Sequence, residues 1–377
     1  MTRRTFSFDG LRIAVDSPDV SHLVWLEEFL SPQMDVVTGE PHHEILFSPD
    51  RERYDATVAF GAGGGTTDVF ALDSGVRRLP LWKSGPGRRI VFDEPFRVFY
   101  ILGRDSSRIE ILARNDHPRG RTALMRVIRE LAMGHAQSSG GLVLHASAFS
   151  VEDRGFVLAG PRKSGKTTLL IHALRSGRAS YLANDRVLVN PDPSDACAPP
   201  RLRGLPTIIV IRETTADIFP DFKRRLATSG YSFRLHKGEL PAPSDDAVMP
   251  WKNGNYALTP AQFLDILGTR PVAGRPVGAV LFPKVTPEPG GIELRRIDPE
   301  TASAEIRASL LGTGAWRKEG DFLARSPLSP AAGSKAAHGA AAAAERLTAR
   351  VPCFECRVGI DAYADASAEN FLGRLPV

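Results

Sequence analysis

Apolar and polar positions alternate with period two along much of the first 115 residues, and that period predicts strands. Thr5 to Val15 alternates on either side of a turn at Asp9-Gly10. Further short runs are His43 to Phe47, Ala56 to Phe60, Val69 to Leu72, Arg89 to Phe92, Val98 to Leu102 and Arg108 to Leu112. Only Val20 to Phe29 reads as helical, so the region is expected to be antiparallel and β-rich. From Pro118 the period changes. Leu124, Val127, Ile128 and Leu131 form a stripe at helical spacing across Arg121 to His135. Gly140-Gly141 ends it, and Leu142 to Phe149 reads as a strand. The turn at Asp153-Arg154-Gly155 then joins that strand in a hairpin to the apolar run Phe156 to Ala159.

Beyond these elements a helix is expected from Lys166 to Ser176, ended by Gly177. Strands are expected at Ala179 to Ala183, from Val187, at Thr207 to Arg212, Tyr231 to Leu235, Val277 to Phe282, Ile292 to Ile297 and Val351 to Ile360. Helices are expected at Thr215 to Arg225, Thr259 to Gly268, Pro299 to Leu311 and Lys335 to Thr348. The helix at 259 carries all its punctuation: Thr259 as cap, Pro260 at the first position and Gly268 at the end. Ala242 to Gly254, with Trp251, reads as a loop, either over an acceptor site or as an ordinary surface connection. Ser326 onward reads as an Ala- and Pro-rich linker. The domains are therefore expected at 1–116 (β-rich), 117–325 (α/β) and 326–377 (linker, helix and a terminal strand packing on the second domain).

The chemistry concentrates at Gly160-Pro161-Arg162-Lys163-Ser164-Gly165-Lys166-Thr167-Thr168, a full match to G-x-x-x-x-G-K-[ST] between a strand and a helix. Gly160 and Gly165 let the backbone bend closely round an anion. Loop amides and the helix N-terminus point at phosphate oxygens. Lys166 supplies a point charge and Thr167 a hydroxyl for Mg2+. Asn184-Asp185 lies at the end of the next strand, where a carboxylate facing the metal belongs. An Asx turn is the alternative there. His145 lies on the strand beside the loop, with a packed and a catalytic role both open. Arg162, Lys163 and Arg186 add positive charge, at least two of them as solvated surface. Gly61 to Thr67 is glycine-rich but lacks a lysine and a following helix, so it reads as a turn. His42 and His43 are adjacent and read as a loop pair.

Composition narrows the function classes. Hydrophobic residues at 42% and charged residues at 24% allow a core without staples. The net charge of +5 comes from scattered arginines, which suits phosphate or an acidic partner and gives no nucleic-acid patch. No run of apolar residues is long enough to span a membrane, and the charged N-terminus lacks an apolar stretch behind it. Cys197, Cys353 and Cys356 form no disulfide framework, and Cys353-Phe-Glu-Cys356 lacks a second pair for zinc. A cytoplasmic protein with reduced thiols is expected.

Three features together resemble the catalytic domain of HPr kinase/phosphorylase: the histidine strand Leu144-His145-Ala146-Ser147, the phosphate loop, and the short step to Ala183-Asn184-Asp185-Arg186-Val187. Nineteen residues separate Lys166 from Asp185, whereas most phosphate-loop NTPases place their acid far downstream. Arg201-Leu202-Arg203-Gly204-Leu205-Pro206 is similar to the family's E-x-R-G-x-G signature. The resemblance covers about residues 120 to 290. It implies an α/β HPr-kinase-like domain that uses ATP and Mg2+ to phosphorylate a serine hydroxyl of a peptide or small protein. It also implies, by analogy alone, a homo-oligomer. Lys166 maps to the loop lysine, Thr167 to the metal-binding hydroxyl, His145 to the strand histidine and Asp185 to the second of two adjacent aspartates, as base or as Mg2+ ligand. Asn184 stands in place of the first aspartate and Arg201 in place of the signature glutamate. Both replacements remove negative charge, which bears against the phosphorylase half-reaction and against HPr itself as substrate. The chain thereby looks closer to divergent kinases such as those acting on lasso-peptide precursors.

Overall fold

The computed structural model describes residues 1–31, 33–62, 67–72, 76–83, 87–103, 107–114, 118–191, 198–229, 231, 255–311, 330–359, 361–363 and 367–376. The loop with Trp251, Cys197, most of the expected strand at 231–235, most of the glycine-rich turn after Gly61, and residues 326–329 lie outside the described residues. The fold is α/β with mixed sheets. The chain divides into two compact units, one of Met1–His135, His236–Asn253 and Gly312–Lys335, the other built from Ala136–Leu235, Gly254–Leu311 and Ala336–Val377, so that the last long helix begins in the first and continues in the second. No helix among the described residues is long and apolar enough to cross a membrane.

The first unit is a nine-stranded sheet. Its elements in chain order are β1 (Thr2–Phe8), β2 (Leu11–Ser17), α1 (Val20–Leu30), β3 (Asp35–Val37), β4 (His43–Pro49), α2 (Arg51–Ala62), β5 (Thr67–Leu72), β6 (Val76–Lys83), β7 (Arg89–Asp93), β8 (Val98–Leu102), β9 (Arg108–Ala113) and α3 (Pro118–Ser138). The strand order is β3-β1-β2-β4-β9-β8-β7-β6-β5. The Asp9-Gly10 turn forms as expected, both residues having positive φ (47° and 84°). Two sequence expectations fail here. Ala56 to Phe60 is part of helix α2, not a strand. Asp50 caps that helix by accepting from the Arg53 amide at 3.0 Å, and Val58 and Phe60 are exposed. The sheet is also mixed, because β2–β4 and β4–β9 run parallel. A parallel pair needs a crossover rather than a tight turn, and α1 lies in the connection from β2 to β4.

The second unit follows with β10 (Leu142–Leu144), β11 (Ala146–Val151), β12 (Arg154–Ala159), α4 (Lys166–Arg175), β13 (Ala179–Ala183), β14 (Val187–Asn190), β15 (Arg201–Gly204), β16 (Ile209–Arg212), α5 (Glu213–Ile218), α6 (Pro220–Thr228), β17 (Asn255–Leu258), α7 (Pro260–Leu267), β18 (Gly274–Val285), β19 (Ile292–Arg296), α8 (Pro299–Ala308), α9 (Pro330–Arg350), β20 (Cys353–Val358) and α10 (Ser367–Gly373). Its main sheet runs β10-β14-β15-β18-β12-β11-β13, with β20 parallel to the end of β18. The expected hairpin is β11–β12, with Val151 opposite Arg154. The expected helix at 215–225 is instead two, broken at Phe219-Pro220, because the residue before proline is pushed out of the helical region. The last long helix begins at Pro330, ahead of the expected Lys335.

Strand β12 is buried on both faces, which explains its unbroken apolar run. Phe156 and Leu158 enter a core with Leu169, Leu170 and Phe263. Val157 and Ala159 enter another with Ile306 and Leu347. Helices therefore cover both sides of the strand that delivers the loop, and its last residues are held from two directions. The same alternation separates Cys353 and Cys356 of β20, which fall in these two different cores. Burial pushes both thiols up to about 12, so neither is a nucleophile or a disulfide partner of the other.

Candidate functional site

The site lies where β12 and β13 end. Strand β11 is antiparallel to both, so their carboxyl ends share one edge of the sheet. The first end is the phosphate loop. Gly160 (φ 142°) and Gly165 (φ 96°) adopt conformations that side chains resist, and Lys163 is left-handed at φ 71°. Any Cβ at Gly165 would come within 2.9 Å of Val285 Cγ2. The Gly160 amide donates to Ser309 Oγ at 3.2 Å, which fastens the start of the loop to the end of α8. Pro161, Arg162 and Lys163 are exposed, while Thr168 is buried in the first turn of α4. The amides of that first turn have no acceptor within the helix.

Lys166 is 8% exposed and folds back over its own loop. Its Nζ donates to the carbonyls of Gly160 at 2.7 Å and Pro161 at 2.8 Å. Burial lowers its pKa to about 8, the charge of Asp185 opposes that fall, and Arg162 adds to it. The ammonium is held by neutral carbonyls in a dry place, a state that a phosphate oxygen would improve. Ser164 Oγ is buried and has no hydrogen-bond partner among the described residues.

The second end is the turn Asn184-Asp185-Arg186. Asn184 is 4% exposed and ties three elements together. Its Oδ1 accepts from Ser147 Oγ of β11 at 2.8 Å and from Thr167 Oγ1 of the loop at 3.1 Å. Its carbonyl accepts from Thr207 Oγ1 at 3.0 Å. The Thr167 proton is thus directed at a neutral carboxamide, which leaves the hydroxyl lone pairs free for a cation. Asp185 adopts φ 74°, unusual for a residue with a side chain. Its carboxylate meets His145 Nδ1 at 2.9 Å and Arg186 Nη1 at 2.5 Å. Arg186 is buried, so it is not one of the solvated arginines expected from sequence; Arg162 and Lys163 are exposed.

His145 reaches Asp185 because its strand is broken. The expected strand at 142–149 is two, with His145 between them: β10 turns aside to pair with β14, and β11 continues beside β12. The His145 amide, lost to either ladder, donates to the Ser309 carbonyl at 2.8 Å. Gly204 of the R-G-L-P element has its own physical reason. A Cβ there would lie 2.1 Å from the Leu182 carbonyl, so glycine lets β15 press against the strand that ends in Asn184-Asp185. Arg201, in place of the signature glutamate, is exposed at the start of β15.

His145, Lys166, Thr167 and Asp185 are therefore brought into one constellation with the glycine loop. Asn184 and Ser147 belong to it too, and sequence reasoning missed their bonds. The hydroxyl two residues after His145 was the available signal. A triphosphate fits the loop, with its flexed glycines, buried lysine and unpartnered serine hydroxyl. For Mg2+, which keeps most of its waters and needs few protein oxygens, the oxygens at hand are the Thr167 hydroxyl and the Asp185 carboxylate. Among the described residues no three or more His, Cys, Asp or Glu side chains gather as a metal-binding group. No protein-family model matches the chain, and no curated protein matches it.

Proposed function

We propose that the chain is an ATP- and Mg2+-dependent kinase with an HPr-kinase-like domain, which transfers the γ-phosphoryl group to a hydroxyl, a serine foremost, of a peptide or small protein. The observation that carries this reading is the pairing of two strand ends: a lysine folded onto its own phosphate loop, and a carboxylate held by His145 and Arg186 within electrostatic reach of that lysine. The short step from Lys166 to Asp185 is what the family resemblance implies, and Gly204 falls in the element similar to its signature.

ATP is the substrate. The loop amides and the first turn of α4 bind its phosphates. Lys166 leaves the Gly160 and Pro161 carbonyls for the terminal phosphate and neutralises charge there. Thr167 and Asp185 would hold Mg2+, which when bound shields the phosphate oxygens and balances the charge that develops on them. Where Thr167 alone would serve the metal, Asp185 instead orients the acceptor hydroxyl and takes its proton as the new O–P bond forms and the bond to the leaving diphosphate breaks. His145 and Arg186 fix the two carboxylate oxygens, and the left-handed turn aims them.

A second reading is favoured by one observation. Both oxygens of Asp185 already have side-chain partners, and its neighbour is the neutral Asn184, which would suit a nucleotide-binding regulatory module without transfer. Radiolabelled ATP, offered with candidate acceptor peptides, separates the two. Transfer that Asp185→Asn reduces at least a hundredfold supports the kinase. Nucleotide binding with no transfer to any acceptor or to the chain itself supports the regulatory module.

A further inference from the structure

We propose that Tyr363 and Val285 form the seat for the nucleoside end of the nucleotide, and that Tyr363 donates its hydroxyl proton to the base or ribose. This rests on the kinase reading and adds which residues recognise more than the phosphates. Strands β12, β18 and β20 run parallel, so their carboxyl ends open on one edge, where open α/β sheets place ligands. Val285 is the last residue of β18 and is 52% exposed, yet its Cγ2 reaches the glycine that starts the phosphate-binding helix. An exposed branched side chain at that place offers an apolar surface to a flat ring.

Tyr363 approaches the same glycine. Its hydroxyl is 3.8 Å from where a Gly165 Cβ would be. The residue is 8% exposed, and its hydroxyl has no hydrogen-bond partner among the described residues. Two edge contacts fix the ring, with His172 of α4 at 5.3 Å and with Phe219 at 5.6 Å. Burial raises its pKa, so the phenol keeps its proton and acts as a donor. A buried hydroxyl without a partner is costly, and a packed ring cannot swing away to find one. Beside a phosphate loop, a ligand atom is the partner that relieves the cost.

The test is binding of two probes to the full chain and to Tyr363→Phe and Val285→Ser, each with Mg2+: ATP and inorganic tripolyphosphate. Tyr363→Phe keeps the ring, and without ligand it should melt at or above the wild-type temperature, since it deletes an unpaired polar group. The expected result is ATP affinity weaker by roughly five- to tenfold for Tyr363→Phe, the size of one hydrogen bond. Val285→Ser, which removes apolar surface without adding charge, should weaken ATP by roughly three- to tenfold, and tripolyphosphate affinity should stay within about twofold for both. If either variant weakens ATP and tripolyphosphate equally, the two residues support the loop and the seat is refuted. Unchanged ATP affinity in both variants refutes it as well. If the wild-type chain binds tripolyphosphate and ATP equally well, the seat fails while the phosphate loop stands. If it binds neither, the kinase reading fails together with the seat.

Discussion

The two turns at the working edge of the second unit are built in opposite ways. The Gly160–Gly165 loop is exposed over Pro161 to Lys163, bent through left-handed positions, and closed by a lysine that bonds only neutral carbonyls of the loop itself. The Asn184-Asp185 turn is buried at Asn184 and saturated: Ser147, Thr167, Thr207, His145 and Arg186 all bond it. The first turn is left for a ligand to complete. The second is completed in advance by the protein. A kinase needs both, because the phosphates must enter and leave, whereas the group that handles the acceptor proton must already be in position when they arrive.

The largest effect is expected from removing the lysine that the loop holds in reserve. Lys166→Ala should cost about 3–4 kcal/mol of transition-state stabilisation, a loss of several hundredfold in kcat/KM for transfer, with folding intact. A kinetic effect below tenfold would break the contrast, since the loop would then work without its charge. Gly204→Ala tests the packing under the other turn. Its Cβ meets a backbone carbonyl that cannot move aside, so an equilibrium denaturation curve should show about 1–3 kcal/mol of lost stability. An unchanged midpoint would mean that β15 does not press on β13.

Smaller effects sharpen the comparison. Asn184→Ala strips the acceptor from Ser147, which is 1% exposed, and from Thr167. Leaving a buried hydroxyl unpaired should lower stability by about 1–2 kcal/mol and weaken Mg2+ dependence, read by denaturation and by metal titration of activity. The smallest effect is a pH slope. The Lys166 pKa is lowered to about 8 from 10.5, so the free protein loses that charge as pH rises through about 8. A phosphate prefers the charged form. Nucleotide affinity should therefore be flat well below pH 8 and then fall by about fivefold between pH 8 and 9. The folded chain binds this proton more weakly than the unfolded one, so the same group makes the ligand-free protein relatively more stable as pH rises across that window. Affinity that holds steady to pH 10, or Lys166→Ala keeping the slope, would contradict this.

Much of the site was legible in the sequence because its signals are local. The loop, the hairpin turn before it, and the helix from the Thr259 cap to Gly268 are each complete within a few residues, and the structure forms all three. The errors have physical causes of their own. Alternation at Ala56 to Phe60 suggested a strand, but Asp50 accepting from the Arg53 amide starts a helix in which Val58 and Phe60 are both exposed. Pro220 could have divided the helix expected at 215–225. The break at His145 was hidden because it depends on a distant carbonyl, that of Ser309, taking an amide that the ladder drops. Asn184 looked like a lost charge, and only packing shows it as the acceptor that joins Ser147 to Thr167.

Titration calorimetry of the purified chain with ATP and Mg2+, run beside Lys166→Ala, tests the central claim most directly. A single saturable event per chain, weakened at least tenfold in the variant, is the expected result. No heat of binding with the wild-type chain, or equal affinity in both proteins, would contradict the assignment of this loop as the seat of a nucleotide's phosphates.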